Sequence, residues 1–148
     1  MDTEVNDEPI NILLIEDNHT DIRMIKEIFK EFKTKTNIYA ITNGIEALEF
    51  LNKKENYHNK PLPNLIMLDL NIPLINGFKV LKEIKTDDKL KHIPVIVLTT
   101  SHNPNDLSKA YELQANCFMN KPICFDEYNT LLKHIEECWL KINSINKN

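Results

Sequence analysis

Five polar side chains stand at or next to the ends of short apolar runs: Glu16, Asp17, Asp69, Thr99 and Lys121. Three of them are carboxylates, which repel one another unless a cation lies among them. Hard oxygen ligands that leave room for water and phosphate oxygens suit Mg²⁺. If the runs converge, Glu16, Asp17 and Asp69 are therefore candidate Mg²⁺ ligands, and the backbone carbonyl of Asn71 is a further one.

Phosphorus chemistry at a carboxylate is what these residue types favour. With the metal bound, the Asp69 carboxylate is able to attack phosphorus and form an acyl phosphate. Thr99 would then hydrogen-bond one phosphoryl oxygen, and Lys121 would pair with another. Taken singly, each side chain has an ordinary explanation, such as a helix cap, a turn or a solvated lysine at a loop entry. The prediction depends on all five reaching one cleft.

Apolar runs of strand length alternate with helical patterns from end to end of the chain. The predicted strands are residues 10–15, 38–41, 65–68, 94–98 and 116–119, and the last predicted helix is residues 125–142. Continuous apolar strands that alternate with helices indicate a parallel sheet covered on both faces. Because crossovers are right-handed, the sequence predicts an α/β, flavodoxin-like (βα)5 doubly wound fold with strand order 2-1-3-4-5. That order makes strands one and three neighbours, which brings the three carboxylates together.

Length and composition narrow the class of protein. The 148 residues fit one domain, predicted at 10–142, with a disordered or extended N-terminus at 1–9 and a C-terminal tail at 143–148. The net charge of −4 argues against nucleic-acid binding. No apolar run approaches the roughly 20 residues that span a bilayer, and the acidic N-terminus does not look like a secretory signal. We therefore expect a cytoplasmic protein without a membrane partner.

Four stretches of the chain together resemble the receiver domain of response regulators over about residues 10–142. They are Leu13-Leu14-Ile15-Glu16-Asp17, Ile66-Met67-Leu68-Asp69-Leu70-Asn71-Ile72-Pro73 with Gly77, Val97-Leu98-Thr99, and Lys121-Pro122. The chain is most similar to the short, single-domain regulators that partner bacterial phytochrome kinases. That narrower likeness lies in Glu16-Asp17-Asn18 with Asp21-Ile22-Arg23, in residues 69–73, and in the polar loop of residues 52–63.

The resemblance implies a role for each matching residue. Asp69 would be the phosphoacceptor, Glu16 and Asp17 would help to hold Mg²⁺, and Asn71 would bind it through its carbonyl. Thr99 would be the switch hydroxyl and Lys121 the amine that pairs with phosphate. Phe118, three residues before the lysine, would be the switch aromatic, whose side chain turns inward when the hydroxyl moves toward the phosphoryl group.

The resemblance also implies partners and an output. The phosphoryl donor would be a histidine kinase, and the signal would leave through the face formed by the fourth helix, fifth strand and fifth helix. The partner that binds this face would be a histidine phosphotransfer protein, another downstream protein or a second copy of the chain. Trp139, Ile142 and Ile145 extend the apolar side of the last helix, which is consistent either with core packing or with a homodimer contact. Self-phosphorylation and self-dephosphorylation would be slow, so the protein would not be an enzyme.

Two other kinds of function are open at this point. A haloacid-dehalogenase-like phosphohydrolase also phosphorylates an aspartate at the end of a parallel strand. It needs a second aspartate two residues later as general acid, where this chain has Asn71. A flavodoxin-like carrier or a phosphorylation-independent scaffold is the other alternative. This chain has no Ser/Thr/Gly-rich loop after the first strand that could hold a flavin phosphate, and a scaffold would not need the acidic residues, Thr99 and Lys121.

Overall fold

The computed structural model describes residues 8–141, which form a parallel sheet with helices on both faces. The strands are β1 (Ile10–Ile15), β2 (Thr36–Ile41), β3 (Leu65–Leu68), β4 (Val95–Thr99) and β5 (Cys117–Asn120). The α-helices are α1 (His19–Lys30), α2 (Gly44–Leu51), α3 (Gly77–Thr86), α4 (Pro104–Glu112) and α5 (Phe125–Ile135). The order of strands is β2-β1-β3-β4-β5, and all neighbouring pairs are parallel. The predicted doubly wound fold is confirmed.

The central strands are apolar at nearly every position because helices cover both faces of the sheet. Alternate residues of each strand point to opposite sides, so Leu13 and Ile15 join one core cluster while Ile12 and Leu14 join the other. The first cluster is closed by α2, α3 and α4, and the second by α1 and α5. This two-sided burial holds the carboxyl ends of β1 and β3 side by side, in the register Ile15↔Leu68.

Four helices begin with the same device, an asparagine N-cap. In each of these helices, the side-chain oxygen of the asparagine accepts a backbone N–H from the first turn. The four caps are Asn18 of α1, Asn43 of α2, Asn76 of α3 and Asn103 of α4. Such a cap satisfies a helix donor that has no partner within the helix. Each cap therefore determines where the chain turns from a loop after a strand into the following helix.

Among the predicted strands and the last helix, two boundaries differ from the structure by more than one residue, and β4 and β5 are each shifted by one residue. β2 begins at Thr36 rather than at residue 38, because the polar Thr36 and Asn37 still pair with Ile10 and Asn11 of β1. The last helix is not continuous to residue 142: α5 ends at Ile135 and a π-helical turn, Glu136–Leu140, follows it. The wider turn contains the fully buried Glu136, whose carboxylate accepts the N–H of Thr34 at 3.1 Å.

Several terminal predictions lie outside the described residues. These are most of the predicted N-terminal segment 1–9, the tail 143–148, and the apolar residues Ile142 and Ile145. Trp139 is described, and it is half-buried against the core cluster under α1 and α5. Within residues 8–141, every helix is too short or too polar to cross a bilayer.

Candidate functional site

The three predicted carboxylates meet at the carboxyl end of the sheet. The N–H of Glu16 donates to the Ile41 carbonyl at 2.9 Å, and the N–H of Asp69 donates to the Ile15 carbonyl at 3.0 Å, so both residues prolong the strand ladder. Glu16, Asp17 and Asp69 each offer a carboxylate oxygen within 4.8 Å of the others. Glu16 and Asp69 are buried, whereas Asp17 is exposed. A cation in this cluster would have hard oxygen ligands and a side open to solvent, which fits a divalent metal that keeps water.

The ammonium group of Lys121 lies within this cluster. Its Nζ is 2.6 Å from Glu16 Oε1, 2.9 Å from Asp69 Oδ2 and 3.0 Å from Asp21 Oδ2. The side chain is only 7% exposed. The backbone N–H of Lys121 donates to the Thr99 carbonyl at 2.8 Å, which holds the lysine where β5 leaves the sheet beside β4. The structure therefore unites Glu16, Asp17, Asp69 and Lys121 as the sequence predicted.

Asp21 is a member of the site that residue patterns did not identify. It lies in the first turn of α1, where an acidic residue usually interacts with the helix dipole. The resemblance in residues 21–23 marked the position as characteristic of a subgroup but assigned it no role. Asp21 and Lys121 are 100 positions apart in the chain, so only the fold shows that they are paired.

Burial and neighbouring charges shift the pKa values of Glu16 and Lys121. Burial raises the pKa of Glu16 to about 7, the hydrogen bond with Lys121 opposes this, and the negative charge of Asp69 adds to it. Burial lowers the pKa of Lys121, but its hydrogen bonds to Glu16, Asp69 and Asp21 outweigh burial, so this pKa is above its ordinary value. Lys121 therefore stays protonated at neutral pH, and a further positive group beside Glu16 would favour the ionised form of that carboxyl group.

Asp69 is oriented by the loop that follows it. Its Oδ1 accepts the N–H of Asn71 at 3.1 Å, while its Oδ2 is directed to Lys121. The first residue of α3 approaches this loop closely, since a Cβ on Gly77 would lie 2.5 Å from Leu70 Cα and 2.6 Å from the Asp69 carbonyl oxygen. Residue 77 must lack a side chain for Asp69 to keep this position.

Thr99 and Phe118 lie beside the cluster on adjacent strands. Thr99 is completely buried at the end of β4, and its hydroxyl oxygen accepts the N–H of Ser101 at 3.2 Å. Phe118 is half-buried on β5 and packs against the core cluster under α2, α3 and α4. Its backbone N–H donates to the hydroxyl of Tyr111, on α4, at 3.1 Å. Thr99 therefore lies at the carboxyl end of β4, and the backbone of Phe118 is linked to α4 through Tyr111.

Residues 12–135 match the family described as response regulator receiver domain. The chain is a response regulator receiver domain. Two curated relatives are similar over most of their length. Response regulator Rcp1 from Synechocystis sp. is 41% identical over 133 residues, which are 90% of each chain. The probable methanogenesis regulatory protein FilR2 from Methanothrix harundinacea is 35% identical, over 93% of this chain and 88% of that one.

Solved structures agree with the family assignment. The phosphorylated cyanobacterial phytochrome response regulator RcpA has a TM-score of 0.87 at 40% identity, covering 90% of this receiver domain and 95% of that chain. The Mn²⁺-bound form of Rcp1 has a TM-score of 0.85 at 42% identity, covering 89% and 95%. Receiver domains accept phosphoryl groups and bind a divalent metal, and the carboxylate cluster of this receiver domain fits such an ion. The family decides against the phosphohydrolase and flavin-carrier alternatives.

Proposed function

We propose that Asp69 accepts a phosphoryl group from a histidine kinase, and that Mg²⁺ is held by Glu16, Asp17, Asp69 and the Asn71 carbonyl. The observation that carries this proposal is the convergence of three carboxylates, within 4.8 Å of one another, on one buried lysine at the carboxyl end of the sheet. Ligands of open parallel sheets bind at this edge, near the reversal of strand order. Asp69 is the central carboxylate, because β3 lies between β1 and β4.

The transfer requires little from the protein beyond positioning and charge. An oxygen of Asp69 forms a bond to phosphorus while the bond from phosphorus to the kinase imidazole breaks, and its electron pair leaves on that nitrogen. When bound, Mg²⁺ supplies positive charge that neutralises the phosphoryl oxygens. Lys121 pairs with one phosphoryl oxygen, and the Thr99 hydroxyl donates a hydrogen bond to another. Self-dephosphorylation of the product is proposed to be slow.

The output is a rearrangement of the face formed by α4, β5 and α5. Thr99 Oγ1 accepts the N–H of Ser101, and its hydroxyl hydrogen would turn toward a phosphoryl oxygen as Thr99 moves to it. Phe118 then moves into the space behind Thr99, and its link to Tyr111 of α4 transmits the change. Two packings of one face are the usual basis of such a switch. Thr99 and Phe118 are therefore proposed as the switch residues.

The proposed donor is a phytochrome-type histidine kinase in the cytoplasm. Support comes from the similarity to RcpA, which is named a cyanobacterial phytochrome response regulator. For onward signalling we propose protein contact with a phosphotransfer protein, another downstream protein or a second copy of the chain. The net charge of −4 argues against a nucleic acid as the partner, because nucleic-acid binding depends on clustered positive charge.

Intact mass after incubation with acetyl phosphate and Mg²⁺ tests the phosphoacceptor. We expect the wild type to gain one phosphoryl group and Asp69→Asn to gain none. Asp88→Asn is the matched control, because the Asp88 side chain is 94% exposed and belongs to a surface pair with Lys91. Equal phosphorylation of wild type and Asp69→Asn would exclude Asp69 as acceptor.

A further inference from the structure

Asp21 contacts the ammonium group of Lys121, but it is neither the proposed phosphoacceptor nor a proposed metal ligand. Its Oδ2 lies 3.0 Å from Lys121 Nζ, and its side chain is 18% exposed. Among residues 8–141, the carboxylates close enough to share a metal ion are Glu16, Asp17 and Asp69, and Asp21 is not one of them. Asp21 is thus a mostly buried anion that pairs with Lys121 and also faces the hydroxyl group of Tyr128.

The hydrogen-bonding capacity of Lys121 is already used in full. An ammonium group has three N–H donors. They are matched by three carboxylate oxygens: Glu16 Oε1, Asp69 Oδ2 and Asp21 Oδ2. A phosphoryl oxygen on Asp69 can therefore pair with the Lys121 ammonium only if it replaces one of these three acceptors.

Two of the three acceptors have a further role in phosphoryl transfer or metal binding, which Asp21 does not share. When Asp69 becomes an acyl phosphate, its carboxyl group loses its negative charge and becomes a weaker acceptor. Glu16 is a candidate metal ligand, so its oxygens have a second possible partner. Asp21 keeps its charge, and its backbone is held at the start of α1, where the Asp21 N–H donates to Asn18 Oδ1 at 3.0 Å.

We propose that Asp21 is a positioning residue that keeps the Lys121 ammonium in the site while a phosphoryl oxygen replaces one of the other two carboxylates. The proposal rests on the phosphoacceptor role of Asp69. Asp21 touches none of the reacting atoms and gives up no proton; it acts through Lys121. Without this anchor, Lys121 is free to turn away when Asp69 is modified, and the charge of the transferring group is stabilised less well.

The first experiment measures the pair in metal-free protein, by urea unfolding in EDTA. Asp21→Asn, Lys121→Met and the double variant form a thermodynamic cycle. We expect a coupling of at least about fivefold in the unfolding equilibrium constant, because the pair is charge-assisted and mostly buried. The exposed pair of Lys91 and Asp88, 3.1 Å apart, is the control, with a coupling of less than about twofold. Equal, small couplings in both pairs would overturn the proposal.

The second experiment measures the rate of phosphorylation by acetyl phosphate at saturating Mg²⁺. We expect Asp21→Asn to lower the rate by about 3- to 10-fold, and Asp21→Glu to recover part of it. In the Lys121→Met background, Asp21→Asn should have no additional effect, which a merely structural role would not produce. An unchanged or faster rate in Asp21→Asn, or an equal loss in both backgrounds, refutes the anchor. If the wild type itself takes up no phosphoryl group, the phosphoacceptor role fails first, and this proposal fails with it.

Discussion

Replacing Glu16 by Gln should stabilise the metal-free protein at neutral and alkaline pH. Burial of Glu16 raises its pKa from an ordinary 4.5 to about 7. A carboxyl group whose pKa is higher in the folded state stabilises the fold at low pH, and that stability is lost as pH rises from about 4.5 to about 7. The shift corresponds to about 3 kcal/mol once both states are ionised. Glutamine carries no charge, so it avoids this loss.

Urea unfolding in EDTA between pH 5 and pH 8 measures the effect. We expect wild type and Glu16→Gln to be nearly equal near pH 5, and the variant to be more stable by up to about 3 kcal/mol at pH 8. Asp88→Asn, at an exposed position, should show no such pH-dependent gain. Addition of Mg²⁺ should stabilise the wild type more than Glu16→Gln, because the variant has lost a candidate ligand. A variant that is less stable than the wild type at pH 8 in EDTA would show that the buried charge of Glu16 is not a destabilising feature.

Three further outcomes are expected. Gly77→Ala should lower the free energy of unfolding by about 2 kcal/mol or more in urea, because its Cβ would clash with Leu70; an unaffected variant contradicts the close approach. Glu136→Gln should lower it by about 1–3 kcal/mol at pH 7, with the difference disappearing in acid. Burial raises the pKa of Glu136, but hydrogen bonds from Thr34 outweigh burial and hold this pKa below its ordinary value. The ionised Glu136 therefore stabilises the fold above its ordinary pKa, and this stability is lost as pH falls. A difference between wild type and Glu136→Gln that does not change with pH would contradict this. Light scattering should show a larger mass after phosphorylation, and a constant monomer mass rules out the homodimer.

The fold could be predicted because its signals are local and repeated. Each central strand is apolar at nearly every position, since both faces are covered, and the polar residues at or after its end mark the carboxyl end. The predicted bounds of β1 and β3 agree with the structure to the residue. The edge strand β2 was predicted two residues too short, because its first residues are polar and are held by pairing with β1.

The π-helical turn after α5 has no signal in the sequence comparable to the apolar pattern of the strands. Residues 125–142 have helical apolar spacing, so a continuous helix was the natural prediction. The deviation coincides with the burial of Glu136, which accepts a hydrogen bond from Thr34, 102 positions earlier. A partner so distant in the chain leaves no trace in the local pattern of apolar residues.

Residue types and their places after strands were therefore enough to predict the sheet and the convergence of Glu16, Asp17, Asp69 and Lys121 at its carboxyl edge. These features follow from short-range hydrophobic patterning and from the rule that parallel strands end at one edge. The pairing of Asp21 with Lys121 and the saturation of that ammonium by three carboxylates emerged only with folding. Both features depend on distances between side chains on different strands and helices. The order of residues along the chain does not specify these distances.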